Sequence, residues 1–133
     1  MKKILGIDLG EKRIGLAMAI DKVVLEYRTI INSNKQQVTR EITDICQKEN
    51  IEEIIVGLPK NMSGEEGEKA QQARDFAGEL KEKIKIPIHL EDERLSSNEA
   101  ERILKEQGLS IEEARKRVDA LSAKLILEQY INK

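Results

Sequence analysis

A chain of 133 residues can bury one core but is too short for two lobes around a cleft, which sets two-lobed enzymes aside. The formal net charge of −2 gives no overall basic surface, and Tyr27, Phe76 and Tyr130 are the only aromatic residues, which leaves little for recognition by base stacking. No apolar run approaches a membrane span, and the opening MKKILGIDLG is broken by Gly6 and Asp8, so neither an anchor nor a secretory leader is expected. Cys46 stands alone; an internal disulfide and a thiolate zinc cluster are excluded, and a cytoplasmic location is expected. Charge is uneven along the chain. Residues 1–40 carry 8 Lys/Arg against 4 Asp/Glu, and the remaining residues 15 against 21, so a local basic face can form without a basic protein.

In chain order, Lys3–Leu9, Arg13–Ile20 and Val23–Ile31 are apolar runs parted by the GEK turn and by Asp21-Lys22. Connections this short join antiparallel neighbours, which predicts a three-stranded meander. Asn34 then precedes Val38, Ile42, Ile45 and Cys46 at helical spacing, the pattern of an N-capped helix with Cys46 on its apolar stripe. Glu53–Leu58 is a β-branched run stopped by Pro59 and reads as a strand. KNMSGEEG (60–67) is a polar loop. Within it Ser63 and Glu66 have capping-box spacing, opening a helix striped by Ala70, Ala73, Ala77, Leu80 and Ile84. Ile86–Glu91 is predicted as the fifth strand. Ser96 with Glu99 and Ser110 with Glu113 open two more helices, one ending near Gly108 and one running to about Tyr130.

The order βββαβαβαα is expected to form one domain over residues 1–133, without repeat or linker. Strands separated by helices pair in parallel through crossovers. The prediction is therefore an α/β fold with a mixed five-stranded sheet: an antiparallel meander beside parallel strands, with helices on both faces. Ligands bind such sheets at the C-terminal ends of the parallel strands, which here are Asp8, Gly57-Leu58-Pro59 and Asp92-Glu93.

Asp8 ends a strand expected to be buried on both faces. It serves there either as a turn former bonding the backbone of GEK or as a ligand. Gly6 and Gly10 beside it weaken the strand unless a ligand or another backbone must come close. The second acidic station is HLEDERL (89–95). Glu91 reads as a solvated charge at a helix entry, whereas Asp92 and Glu93 fall level with Asp8. A register of one residue decides which of the two enters the cleft, and the sequence leaves that open. The third station is Asp119 in KRVDALSAKLILEQY (116–130). Val118, Leu121 and Leu125 form the core stripe, and the small Ala120, Ser122 and Ala123 would let this helix approach the sheet, although a helical aspartate is more often simply exposed. Arg115, Lys116 and Arg117 are either a solvated face or phosphate contacts.

Three carboxylate stations at one sheet edge suit hard divalent cations. Mg²⁺ takes few carboxylates together with water and phosphate oxygens. Two such ions roughly 3.5–4 Å apart can activate a water and stabilise the leaving oxygen of a phosphodiester. His89 is the only histidine, which argues against zinc, and a lone strand histidine more often serves structure than general-base chemistry.

Four blocks, GIDLGEKRIGLA (6–17), VGLPKNMSGEEG (56–67), EDERLSSNEA (91–100) and VDALSAKLIL (118–127), resemble in sequence and order the signature blocks of the YqgF (RuvX) family. Its members are named as Holliday-junction resolvases or pre-16S rRNA nucleases, and the likeness spans nearly the whole chain. The resemblance implies an RNase H-like fold, metal-dependent phosphodiester cleavage, and a bacterial cytoplasmic role in 5′ maturation of 16S rRNA; taken with the carboxylate stations, Mg²⁺ or Mn²⁺ in a two-metal site is expected. The family's acidic triad falls on Asp8, Glu93 and Asp119, with Asp92 and Arg94 completing the DER element and Asp92 counted among the metal ligands. Lys12, Arg13, Lys60, Asn61, Arg94, Lys116 and Arg117 are the expected nucleic-acid contacts. Ser122 stands where Ala is usual, and Lys60 where an apolar residue is common; neither is an expected metal ligand. The 60–67 loop, with Gly64 and Gly67 as hinges, is expected to close over the substrate.

The expected partners are RNA (pre-16S rRNA) or structured DNA, and ribosomal particles. The chain is expected as a monomer or a homodimer, a four-way junction favouring the dimer by symmetry. GIDLG also resembles the first phosphate loop of the actin, sugar-kinase and Hsp70 superfamily, but those proteins need two such domains and further nucleotide loops. A non-catalytic RNA-binding assembly module fits the net negative charge, yet it has no need of Asp8, Glu93 and Asp119 together.

Overall fold

The computed structural model describes residues 1–60, 63, 65–93 and 96–133. Along the chain lie β1 (Lys3–Leu9), β2 (Arg13–Ile20), β3 (Val23–Ile31), α1 (Lys35–Glu49), β4 (Glu53–Pro59), α2 (Glu68–Lys83), β5 (Ile88–Glu93), α3 (Ser96–Glu106) and α4 (Ile111–Ile131). The strands form one sheet in the order β3-β2-β1-β4-β5. β1 and β3 flank β2 antiparallel, while β4 lies parallel to both β1 and β5. The expected meander beside a parallel half is thus what the chain builds. Local chemistry explains its corners. Asp21 turns β2 into β3 with φ 57, a left-handed conformation that aspartate tolerates, and its carboxylate accepts from the Lys2 amide at 3.1 Å. Asn34 caps α1 by accepting from the Gln37 amide at 2.9 Å, as its position predicts.

Strand alternation divides the core into two layers. Leu5, Ile7, Ile54, Val56 and Leu58 face α1 and α2, meeting Val38, Ile42 and Ile45 of the first helix and Ala70, Ala73, Ala77 and Leu80 of the second. Ile4, Ala17, Ala19 and Ile55 face the other way, against Ala123, Ile126 and Leu127 of α4. Helix α4 is buried on two sides. Its Leu121, with Val118 and Leu125 partly buried, packs on Ala100 and Leu104 of α3. The stripe expected to meet the main core therefore faces α3, and the small-residue side meets the sheet.

Three boundaries differ from expectation. Helix α2 begins at Glu68 with Gly67 as its N-cap, not at the Ser63/Glu66 pair. The Glu66 carboxylate instead accepts both Nε and Nη2 of Arg74, each at 2.7 Å. Strand β4 includes Pro59, and β5 covers Ile88–Glu93 rather than Ile86–Glu91. The cause is that Glu91 is 2% exposed, not a solvated charge. Gln129 at 2.6 Å and Lys133 at 2.8 Å, both from the end of the chain, satisfy its two carboxylate oxygens. Ser110 caps α4, accepting from the Glu113 amide at 3.2 Å. The Ser96 cap lies outside the described side chains.

Candidate active site

The C-terminal ends of β1, β4 and β5 meet at one edge of the sheet, and parity sorts their acids. Val56 pairs with Leu90 and Leu58 with Asp92; since Val56, Leu58 and Leu90 belong to the layer under α1 and α2, Asp92 falls on that face. Glu91 and Glu93 alternate to the face covered by α4, the same face as Ile4, Gly6 and Asp8. The register left open by the sequence thus brings Glu93, not Asp92, to Asp8. The Asp92 side chain is 56% exposed and pairs with Lys60 Nζ at 3.1 Å. It stands outside the acidic group because successive residues of a strand point to opposite faces.

Glycines make room for this group. A Cβ on Gly57 would lie 2.6 Å from Glu93 Oε2 and 2.7 Å from Ile126 Cδ1, so the missing side chain is the space that the Glu93 carboxyl occupies. Gly15 pairs with Asp8 across β1 and β2, and a Cβ there would come within 1.9 Å of the Asp119 carbonyl oxygen. Gly6 likewise admits Ala123 and Leu127. Together they let α4 lie almost on the strand backbones, which carries the Asp119 carboxylate to the strand end. The flanking glycine of GIDLG therefore admits a helix; Gly10 serves the turn, where a Cβ would meet the Arg13 carbonyl oxygen at 2.3 Å.

Burial and crowding of like charges govern the electrostatics. Burial, then the charge of Asp8, pushes the Glu93 carboxyl up to about 8. Burial, then the charge of Asp119, raises Asp8 to about 6, opposed by the Lys69 ammonium. The two carboxyls titrate as a pair and hold protons well above the ordinary carboxylate range. A site of this kind gains from a cation. Asp8, Glu93 and Asp119 offer only hard oxygen donors, the set that Mg²⁺ and Mn²⁺ accept, so the residues fit a divalent ion. Among the described residues, no three His, Cys, Asp or Glu side chains are already gathered around one point, and Asp119 is held by Arg13 Nε at 2.8 Å.

The other expected residues scatter. Arg117 donates to Glu26 at 3.1 Å and to Gln107 at 3.2 Å. Lys12 and Lys116 are exposed. Asn61, Gly64 and Arg94 lie outside the described residues. His89 Nε2 lies 3.1 Å from Glu53 Oε2 and its ring stacks on Tyr130, nearer the opposite end of the strands. Cys46 is buried, and burial lifts its thiol to about 11. Sequence reasoning missed Lys69, in the first turn of α2, which is felt by Asp8 and lines a cavity of about 260 Å³ with Leu9, Gly10, Glu68 and Gln72. The signal was available: a helix that follows a parallel strand starts at the same sheet edge as the ligands. Gly15 and Gly57 were missed too, though a glycine inside a β-branched strand marks a close approach.

Comparison with known proteins follows the same lines. The sequence matches the family described as "RuvX: Holliday junction resolvase" over residues 2–133. A candidate pre-16S rRNA nuclease of Maridesulfovibrio salexigens is 37% identical over 131 residues, covering 97% of each chain. A relative of the same name from Anaeromyxobacter sp. (strain K) is 40% identical, covering 98% of this chain and 97% of its own. Thermus thermophilus RuvC in complex with a Holliday junction superposes with a TM-score of 0.62 at 16% identity, covering 99% of this chain and 96% of RuvC. That likeness is one of fold, and the fold is RNase H-like. Matched from end to end by the family and by its curated relatives, the chain belongs to the RuvX (YqgF) family.

Proposed function

We propose that the chain is a divalent-metal-dependent nuclease, a single catalytic domain that hydrolyses phosphodiester bonds in the cytoplasm, with the 5′ end of pre-16S rRNA as its substrate. One observation carries the reading: two neighbouring carboxyls, the buried Glu93 and the partly buried Asp8, sit on the α4 side of the sheet with Asp119, at the edge where parallel sheets bind ligands. Asp8, Glu93 and Asp119 would hold Mg²⁺ or Mn²⁺, which when bound supplies the Lewis acidity that activates water and offsets charge at phosphorus. Asp8 feels both of the other carboxylates, which suits it to be the shared ligand. Glu93 is buried and shares with Ile126 of α4 the space left free over Gly57. Lys12, Lys69 and Lys116 border this edge or its helix and would offset backbone phosphate charge. In-line attack by water on phosphorus breaks the bond to the 3′ oxygen, giving 5′-phosphate and 3′-hydroxyl ends.

The names of the curated relatives support the RNA substrate. The family description supports a second reading, a four-way DNA junction. Purified protein given a pre-16S RNA fragment and a four-way DNA junction, each with Mn²⁺ or with EDTA, separates them. Cleavage of the RNA alone, dependent on metal and leaving 5′-phosphate ends, is expected. Resolution of the junction alone would transfer the function to DNA, and cleavage in EDTA would overturn the metal reading. Tight RNA binding without turnover would identify a non-catalytic assembly module.

A further inference from the structure

Arg13 stands in an unexpected place for a phosphate contact. Its Nε donates to Asp119 Oδ2 at 2.8 Å, with the Arg13 side chain 46% exposed and that of Asp119 18% exposed. The partners come from β2 and α4, far apart in sequence, and are brought together by the close approach at Gly15. An arginine bound this way does two things at once. It occupies an oxygen that a cation would need, and it places its own charge where that cation would sit.

We propose that Arg13 is a latch that couples phosphate binding to metal binding. In the free protein Arg13 holds Asp119 and competes with the divalent ion. A nucleic-acid phosphate draws the guanidinium away, because a phosphate offers the same planar fork a second anionic partner, and Asp119 is then released to complete the site. The coupling is reciprocal: whatever factor the phosphate adds to metal affinity, the metal adds to nucleic-acid affinity. Arg13 is in this role a positioning residue, acting through Asp119. The inference rests on the reading of Asp8, Glu93 and Asp119 as metal ligands.

Mn²⁺ binding, followed by calorimetry and by the electron paramagnetic resonance signal of the free ion, tests it without nucleic acid and without turnover. The wild-type chain is compared with Arg13→Gln, Arg117→Gln, Asp8→Asn and Asp119→Asn, each shown to be folded by a cooperative melting transition well above the assay temperature. Arg13→Gln is expected to bind Mn²⁺ about two- to fivefold more tightly than wild type, the scale of a half-exposed ion pair. Arg117→Gln removes the same charge from a side chain tied to Glu26 and is expected to change little. Unchanged or weaker binding by Arg13→Gln overturns the latch, as does an equal gain in Arg117→Gln, which would be plain loss of positive charge. A second arm uses an RNA oligonucleotide with phosphorothioate linkages that resist cleavage. Mn²⁺ should raise its affinity by a larger factor for wild type than for Arg13→Gln, and equal factors would refute the coupling. If Asp8→Asn and Asp119→Asn both bind Mn²⁺ as wild type does, the ligand reading itself fails and the latch falls with it. If they weaken binding while Arg13→Gln does not strengthen it, the latch alone fails.

Discussion

Glu93 carries its carboxyl to a position that disfavours charge, and this has a measurable consequence. Its affinity for a proton, like that of Asp8, is higher in the folded chain than in the unfolded one. Groups raised in this way stabilise the fold fully below the unfolded-state carboxylate range near 4, and that contribution is lost as pH rises through the folded values of about 6 and about 8. In EDTA, therefore, melting temperature should fall between pH 5 and 9. Glu93→Gln should melt higher than wild type at pH 9, by on the order of 2–4 kcal/mol in stability, while losing nuclease activity. A flat profile, or a variant destabilised at pH 9, would show that Glu93 is not under this pressure. Gly57→Ala belongs with it. The added methyl would meet the Glu93 carboxyl and Ile126, so a loss of roughly 1–3 kcal/mol from overpacking is expected. Activity should fall further than folding alone explains, read as kcat measured well below the melting temperature.

Helix α4 is the element on which the site depends, because it brings Asp119 and covers Glu93. Gly15→Ala places a Cβ within 1.9 Å of the Asp119 carbonyl oxygen, and backbone cannot yield as a flexible side chain can. The expected result is a loss of 3 kcal/mol or more, roughly the upper range for overpacking, seen in chemical denaturation. A loss under about 1 kcal/mol, within the range of a tolerated core swap, would mean that α4 does not lie on β2 as described. At its other end α4 holds Glu53, which is 6% exposed: Tyr130 donates to its Oε2 at 2.9 Å. Tyr130→Phe should cost about 1–2 kcal/mol, the range for weakening the partners of a buried carboxylate, with activity retained.

The same elements show what can be read from sequence. The three strands of the meander were legible to the residue, since tight turns and apolar runs are local signals, and so were the caps at Asn34 and Ser110. The end of β5 was not, because EDE becomes a strand only when Gln129 and Lys133, some forty residues away, satisfy Glu91. The start of α2 misled for a related reason: Glu66 is taken by Arg74 rather than by its own capping box. Asp8 and the Asp92-Glu93 pair were legible as candidates from their positions at strand ends, and Asp119 from its small neighbours on a helix, with the family blocks pointing to the same three stations. Which acid of the Asp92-Glu93 pair turns inward depended on a parity that only the assembled sheet supplies.

Across the whole molecule, the basic residues expected at nucleic acid are partly committed to carboxylates: Arg13 to Asp119, Lys60 to Asp92 and Arg117 to Glu26. On the proposed reading, with a net charge of −2 and these pairs formed, RNA would be held by few phosphate contacts near the sheet edge. The salt dependence of binding should be correspondingly modest, each phosphate neutralised adding about −0.7 to the slope of log K against log salt on a single strand. Lys12→Gln or Lys69→Gln should lower that slope by close to one contact. A slope typical of six or more contacts would place the interface elsewhere.

The account turns on Asp8, the carboxylate at the tip of β1. The most direct measurement is single-turnover cleavage of a pre-16S RNA fragment in Mn²⁺ by wild type and by Asp8→Asn, purified in parallel. Asp8→Asn keeps the shape and loses the charge, so it should remain folded and its rate should fall at least a hundredfold, roughly the lower range for removing one preorganised electrostatic contact. Equal rates for the two proteins would contradict the assignment of this site.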